Sequence, residues 1–225
     1  MGVNLLIFQI MKIDWKYAIG ELLIVTVGIL IAFGLNNWAQ GQQEKKKAHT
    51  YLESLAADLS ADLEVLNDNL AFVQQNQQTA RSIIGHFHRT LPGRDSVPFK
   101  IFSELLGMPT FIPHDATYQT LKNSGDFRLV EDMELKNQIV DHYSRYNEIF
   151  MEDDRTKAFL RDHVSLFFMN ETSFETMQQQ ADDLLEDHRL RNIVYAWFGI
   201  YKIQTQILER NIQRTEALIN AVQQH

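Results

Sequence analysis

One apolar stretch, Tyr17 to Trp38, constrains this chain more than any other feature. No residue between Leu22 and Leu35 is charged, and Tyr17 to Gly20 extends the run back across a single acid, Glu21. About 19 residues make ~28 Å of helix, which matches the ~30 Å hydrocarbon core of a bilayer. Trp15 and Tyr17 flank one end and Trp38 the other, where amphipathic rings settle at headgroup level. The segment is expected to be a transmembrane helix, with the lipid bilayer as its partner. It is longer than the apolar part of a secretory signal, and Asn37-Trp38-Ala39 offers no small-x-small cleavage site, so retention is expected. The apolar-rich Ile193 to Ile203 is too short for a second span and runs into Lys202 and Gln204.

The rest of the chain is a different material. The four charges up to Trp38 cancel, so the remainder carries the whole net charge of −8. That disfavours nucleic acid as a partner, since a polyanion recruits basic surfaces. Cysteine is absent, which excludes disulfides, thiolate metal sites and a cysteine nucleophile. With 14 Phe, 7 Tyr and 3 Trp, there is ample material for a core.

Proline placement maps the organisation. Pro92, Pro98, Pro109 and Pro113 fall close together and none follows, so long helices are permitted elsewhere and a turn region is expected around residues 91–131. Before it, Lys46 to Phe87 carries a seven-residue repeat: Leu52, Leu59, Leu66, Val73, Ala80 and Phe87. Ala56, Leu63, Leu70 and Ile84 sit four residues after members of that row, which predicts an a/d seam with Glu53, Asp58, Asp62, Glu64 and Asp68 off the stripe. Gly41 is a candidate joint between anchor and seam. After the turn region, Asp115 is placed to cap a short helix ended by Ser124-Gly125. A long helix is predicted from about Asp132 to Met169, a short acidic one near Ser173 to Glu186, and a last long one from about Leu190 to Gln223. The expected fold is all-α, with one N-terminal transmembrane helix and an extramembrane bundle of three long helices joined by short ones. The corresponding segments are a flank at 1–16, the anchor at 17–38, a first long helix at 39–90, the turn region at 91–131 and the remaining helices at 132–225.

Two motifs carry a resemblance. Tyr17 to Glu21, Gly28 to Ala32 and Asn36 to Trp38 match a YAIGE…GILIAL…NNW anchor signature, and Thr117, Tyr118, Leu121, Ser124 and Gly125 match TY-x-x-L-x-x-SG. The chain resembles a bacterial family of unknown function, common in Bacteroidetes-type genomes. The resemblance implies no activity. Many of its members have a basic arm before the anchor, where this chain has only Lys12 and Lys16. Such arms imply a cytoplasmic N-terminus, so a bacterial inner-membrane protein with a periplasmic bundle is expected.

Glu21, Val25, Gly28, Ala32 and Leu35 share one helical face, on which Gly28 and Ala32 form a small-xxx-small pair. Two roles fit Glu21: hydrogen bonding across a helix–helix contact, or reaching back to the headgroups beside Lys16 or Lys12. Lys45, Lys46 and Lys47 read as a solvated charge cluster. His86 and His88 lack the i, i+4 spacing of helical metal ligands, so neither metal nor cofactor is expected. Residues 152–187 hold ten acids against three bases, a solvated or partner-facing acidic surface. The Thr117 to Gly125 motif reads as a structural corner. With no nucleophile elbow, phosphate loop or dinucleotide fingerprint, the leading expectation is a non-enzymatic scaffold or accessory subunit. It would self-associate or bind a membrane protein; a sensory, ligand-binding bundle is the alternative, and an enzyme the third.

Overall fold

The computed structural model describes residues 15–88 and 92–225. The N-terminal flank with Lys12, and the boundary near residue 90, lie outside the described residues. Eight α-helices follow in order: α1 (Trp15–Phe87), α2 (Val97–Glu104), α3 (Ala116–Ser124), α4 (Met133–Arg145), α5 (Asn147–Phe159), α6 (Leu166–Glu171), α7 (Ala181–Glu186) and α8 (His188–Val222). A π-helical turn, Leu160–Ser165, joins α5 to α6, and no strand occurs among the described residues.

The chain divides into two compact units between Ala48 and His49. In the first, α1 holds the apolar segment, and none of its most apolar stretch is buried inside the chain. It is the one helix among the described residues long and apolar enough to cross a membrane. Thr26 returns its hydroxyl to the Leu22 carbonyl at 2.7 Å, so this hydroxyl in the middle of the apolar run is already satisfied by its own helix. Gly41 lies within α1.

The second unit is a helical bundle with two apolar clusters. Leu52, Leu55 and Leu59 of α1 pack with Val130, Leu135, Ile139, Leu218 and Val222. Leu66, Val73, Ala80, Ile83 and Phe87 join a larger cluster that contains Ile101, Trp197 and Tyr201. The first row of the heptad seam is thus buried against the chain's own helices. The second row differs from expectation. Leu55, Asp62, Asn76 and Ile83, three residues after members of the first row, are the buried ones, at 0%, 0%, 6% and 1% exposure. Leu63, Leu70 and Ile84 only flank the core, as does Ala56. Asp62, placed off the stripe by its charge, is in the middle of it.

Helix ends are set by short polar side chains. The Asp132 carboxylate accepts from the Glu134 and Leu135 backbone N–H groups at 2.7 and 3.2 Å and caps α4. Asp187 caps α8 through the Arg189 N–H at 2.7 Å. Asp115 occupies the cap position of α3 without a side-chain cap bond; its carboxylate takes the Gln119 amide at 2.8 Å instead. Gly125, at φ +76°, ends α3 in the left-handed conformation that glycine adopts without steric cost. The run expected as one helix from about Asp132 to Met169 is segmented: its hydrogen bonding lapses at Tyr146 and changes to π geometry at Leu160. Neither proline nor glycine interrupts it. The lapse falls on a tyrosine with 1% of its surface exposed, whose hydroxyl is held by two partners described next.

Candidate functional site

A fully buried carboxylate with three hydrogen-bond donors lies one turn after Leu59 and one before Leu66. Asp62 is completely buried. Its Oδ1 accepts from the His114 backbone N–H at 2.7 Å and from His114 Nδ1 at 3.0 Å. Its Oδ2 accepts from the Tyr146 hydroxyl at 2.9 Å. Three donors on one carboxylate compensate for the loss of water around a buried charge. One turn earlier on α1, Asp58 Oδ2 accepts from the Thr117 backbone N–H at 3.1 Å. Asp58 and Asp62 are spaced i, i+4 and so share a face. Asp58 thus takes a first-turn N–H of α3 that the Asp115 side chain leaves alone, and Asp62 holds the backbone just before the helix. A third tie comes from Tyr51, whose hydroxyl donates to Asp126 Oδ2 at 2.8 Å.

These contacts clamp the corner motif to α1. The Tyr118 ring stacks on Tyr143, with centroids 4.4 Å apart and 14° between planes. Leu121 is fully buried. Ser124 Oγ donates to the Thr120 carbonyl at 2.7 Å and accepts from the Asp126 N–H at 3.2 Å, which fixes the turn around Gly125. Sequence reasoning found the corner but missed its anchors, Asp58, Asp62, Tyr51 and Tyr146. The available signal was the i, i+4 pair of aspartates on a helix that otherwise buries its stripe.

A chain of hydrogen bonds continues inward. Tyr146 donates its proton to Asp62 and accepts from His142 Nε2 at 2.8 Å, so His142 carries its hydrogen on Nε2. Burial, reinforced by the positive charge of Arg214 and opposed by Asp141, pushes the His142 pKa down to about 4. Burial first, and then the Asp62 charge, holds the Tyr143 and Tyr146 phenols well above their usual range. At neutral pH His142 is therefore a neutral imidazole, and the Tyr143 and Tyr146 phenols are protonated. The His114 side chain is half exposed, with its Nδ1 edge held by Asp62. Such an arrangement orients an imidazole, as the carboxylate does in hydrolytic triads. Its bonds here all tie one element of the bundle to another, and that is the chemistry the geometry supports: fixing the register of α1, the corner and α4.

The sequence-derived residues of the apolar segment belong to the first unit. Trp15, Tyr17, Val25, Leu35 and Trp38 are exposed on the apolar segment, as are Glu21, Gly28 and Ala32. Among the described residues, no group of three His, Asp or Glu side chains is arranged to hold a metal ion.

No curated protein and no solved structure matches the chain significantly. The family described as "Family of unknown function (DUF6090)" matches residues 21–199, from the apolar segment through the clamped corner and into α8, and the chain belongs to that family.

Proposed function

We propose that this chain is a non-enzymatic, membrane-anchored scaffold or accessory subunit that self-associates or binds a membrane-protein partner. The observation that carries the reading is the apolar segment, a surface whose Glu21, Val25, Gly28, Ala32 and Leu35 have no cover from the described residues. The heptad seam is consumed inside the bundle, which leaves this face as the association surface. In lipid, close packing at small residues and polar contacts bring helices together, because the tails are as apolar as leucine. The anchor signature and the TY-x-x-L-x-x-SG corner would then be the family's shared attachment and folding elements, as in the Bacteroidetes-type proteins that the chain resembles.

Gly28 allows a clean test, because a Cβ added there meets nothing within 4 Å in the chain itself. Gly28→Leu is expected to lower cross-linking of the full-length protein in native membranes, to itself or to a membrane partner, while leaving bundle stability unchanged. Glu21→Ala should act in the same direction, and Ile29→Leu, on another face, should be silent. Cross-linking unaffected by both Gly28→Leu and Glu21→Ala would reduce the segment to a simple anchor.

The bundle is placed in the periplasm of a bacterial inner membrane, in line with the family's basic N-terminal arms. A cysteine introduced at Gln224, in a chain with none of its own, should be labelled in intact cells by a membrane-impermeant maleimide. Labelling only after lysis would put the bundle in the cytoplasm.

A sensory, ligand-binding role is the second reading. It is favoured by an open cleft of about 490 Å³ beside the π turn, walled by Phe159, Phe167 and Ile193 and rimmed by His163, Glu171 and Arg189. Small-molecule sites fall in this size range, and π turns recur at functional sites.

A further inference from the structure

We propose that a second cleft, between α5 and α8, binds a phosphate-type oxyanion through Arg155, Arg210 and Arg214. The cleft measures about 480 Å³, and its only acids are Glu148 and Glu152. Glu148 is shared among three guanidinium groups, none of them close: Arg214 at 3.4 Å, Arg210 at 3.5 Å and Arg145 at 3.7 Å. Arg155 lies 3.6 Å from Glu152. Two other arginines of the bundle are more closely engaged. Arg189 reaches Glu171 at 2.7 and 3.1 Å and Asp187 at 2.7 Å. Arg145 has Asp141 at 2.6 Å and does not depend on Glu148.

Arg155, Arg210 and Arg214 therefore present weakly engaged donors. Each guanidinium carries five N–H groups in a planar fork, and the contacts above occupy few of them. Their side chains are 72%, 53% and 33% exposed, so a solute can reach them. Three cations against two carboxylates leave the cleft net positive in a chain of net charge −8. Ordinary surface ion pairs contribute little and pair one to one; a surplus of arginines converging on one carboxylate does not fit that pattern. A tetrahedral dianion offers enough oxygens to engage three forks at once, whereas a monocarboxylate offers two. Met151 and Ile207 add an apolar wall suited to the organic part of a phosphomonoester. Inorganic phosphate and the phosphomonoester headgroup of phosphatidic acid share this chemistry.

The test uses the full-length protein in phosphatidylcholine nanodiscs, titrated calorimetrically with inorganic phosphate at ionic strength held constant with chloride. Saturable binding at one phosphate per chain is expected, with acetate much weaker. Arg155→Gln/Arg210→Gln should weaken it by about tenfold or more, since two charge-assisted contacts are lost. Arg155→Lys/Arg210→Lys, which keeps charge without the fork, should fall between. Arg161→Gln, whose guanidinium pairs with Asp162 outside the cleft, should bind as wild type. In nanodiscs containing phosphatidic acid, suppression of phosphate binding would identify a lipid headgroup as occupant, and unchanged binding a free phosphate. Absence of saturable binding in either lipid, equal response to acetate, or full binding by the double glutamine variant would overturn the proposal.

Discussion

Replacing Asp62 with alanine is expected to destabilise the bundle by about 3–5 kcal/mol, the range for breaking a buried, hydrogen-bonded charge cluster. Asp62 is completely buried, and its loss takes the acceptor from the His114 N–H, from the half-exposed His114 ring and from the buried Tyr146 hydroxyl. Each stranded donor costs about 1–3 kcal/mol, which is why the sum is large. Asp62→Asn should fall short of the wild type too, because its amide nitrogen would face a donor. Tyr146→Phe removes both the donor to Asp62 and the acceptor of the His142 Nε2–H, and should cost about 1–3 kcal/mol. Combined with Asp62→Ala it should cost less than the sum, since the two share one bond. Denaturant unfolding of the detergent-solubilised protein, followed by circular dichroism, measures all three. A loss below about 1 kcal/mol for Asp62→Ala would place it with ordinary surface substitutions and refute the clamp.

Acidification is expected to weaken the bundle through His142. In the folded chain its pKa is held down to about 4, chiefly by burial, against about 6.5 in the unfolded chain. Between those values the unfolded chain binds a proton that the folded chain refuses. Stability from this group is therefore intact above about pH 6.5 and falls as pH drops toward 4. A difference of ~2.5 units corresponds to about 3 kcal/mol once the pH is below both values. His142→Gln keeps a donor near the Tyr146 oxygen and cannot titrate. It should flatten the stability profile between pH 4 and 6.5 while leaving losses below pH 4, where carboxylates such as Asp141, held low by Arg145, become protonated. A profile in that window as steep in His142→Gln as in wild type would assign the effect elsewhere.

Much of the architecture was legible because it depends on local rules. The apolar run announces itself by length and lack of charge, proline marks the turn region, and Gly125 marks the end of α3. The first row of the α1 seam could be read from period seven alone. The second row could not. Leu63 and Leu70 compete for it by hydrophobicity, whereas Asp62 and Asn76 win it because the Pro-rich segment, α4 and α8 fill the other side. Tyr201, whose hydroxyl donates to the Leu105 carbonyl at 3.2 Å, packs in the same cluster as α1 residues far away in sequence. The segmented helix after Asp132 escaped for a similar reason: its lapse at Tyr146 coincides with a long-range bond to Asp62 and has no local breaker.

The sequence by itself determined the all-helical class, the apolar anchor segment and the position of the corner, since chain length, periodicity and turn chemistry act over a few residues. Tertiary structure decided which polar side chains of α1 are interior, where the middle helix is interrupted, and that Arg155, Arg210 and Arg214 converge on one cleft. Those outcomes depend on partners tens of residues away, such as His114 and Tyr146 for Asp62. A buried charge is tolerable only when such partners arrive together, and no local pattern in the chain records that they do.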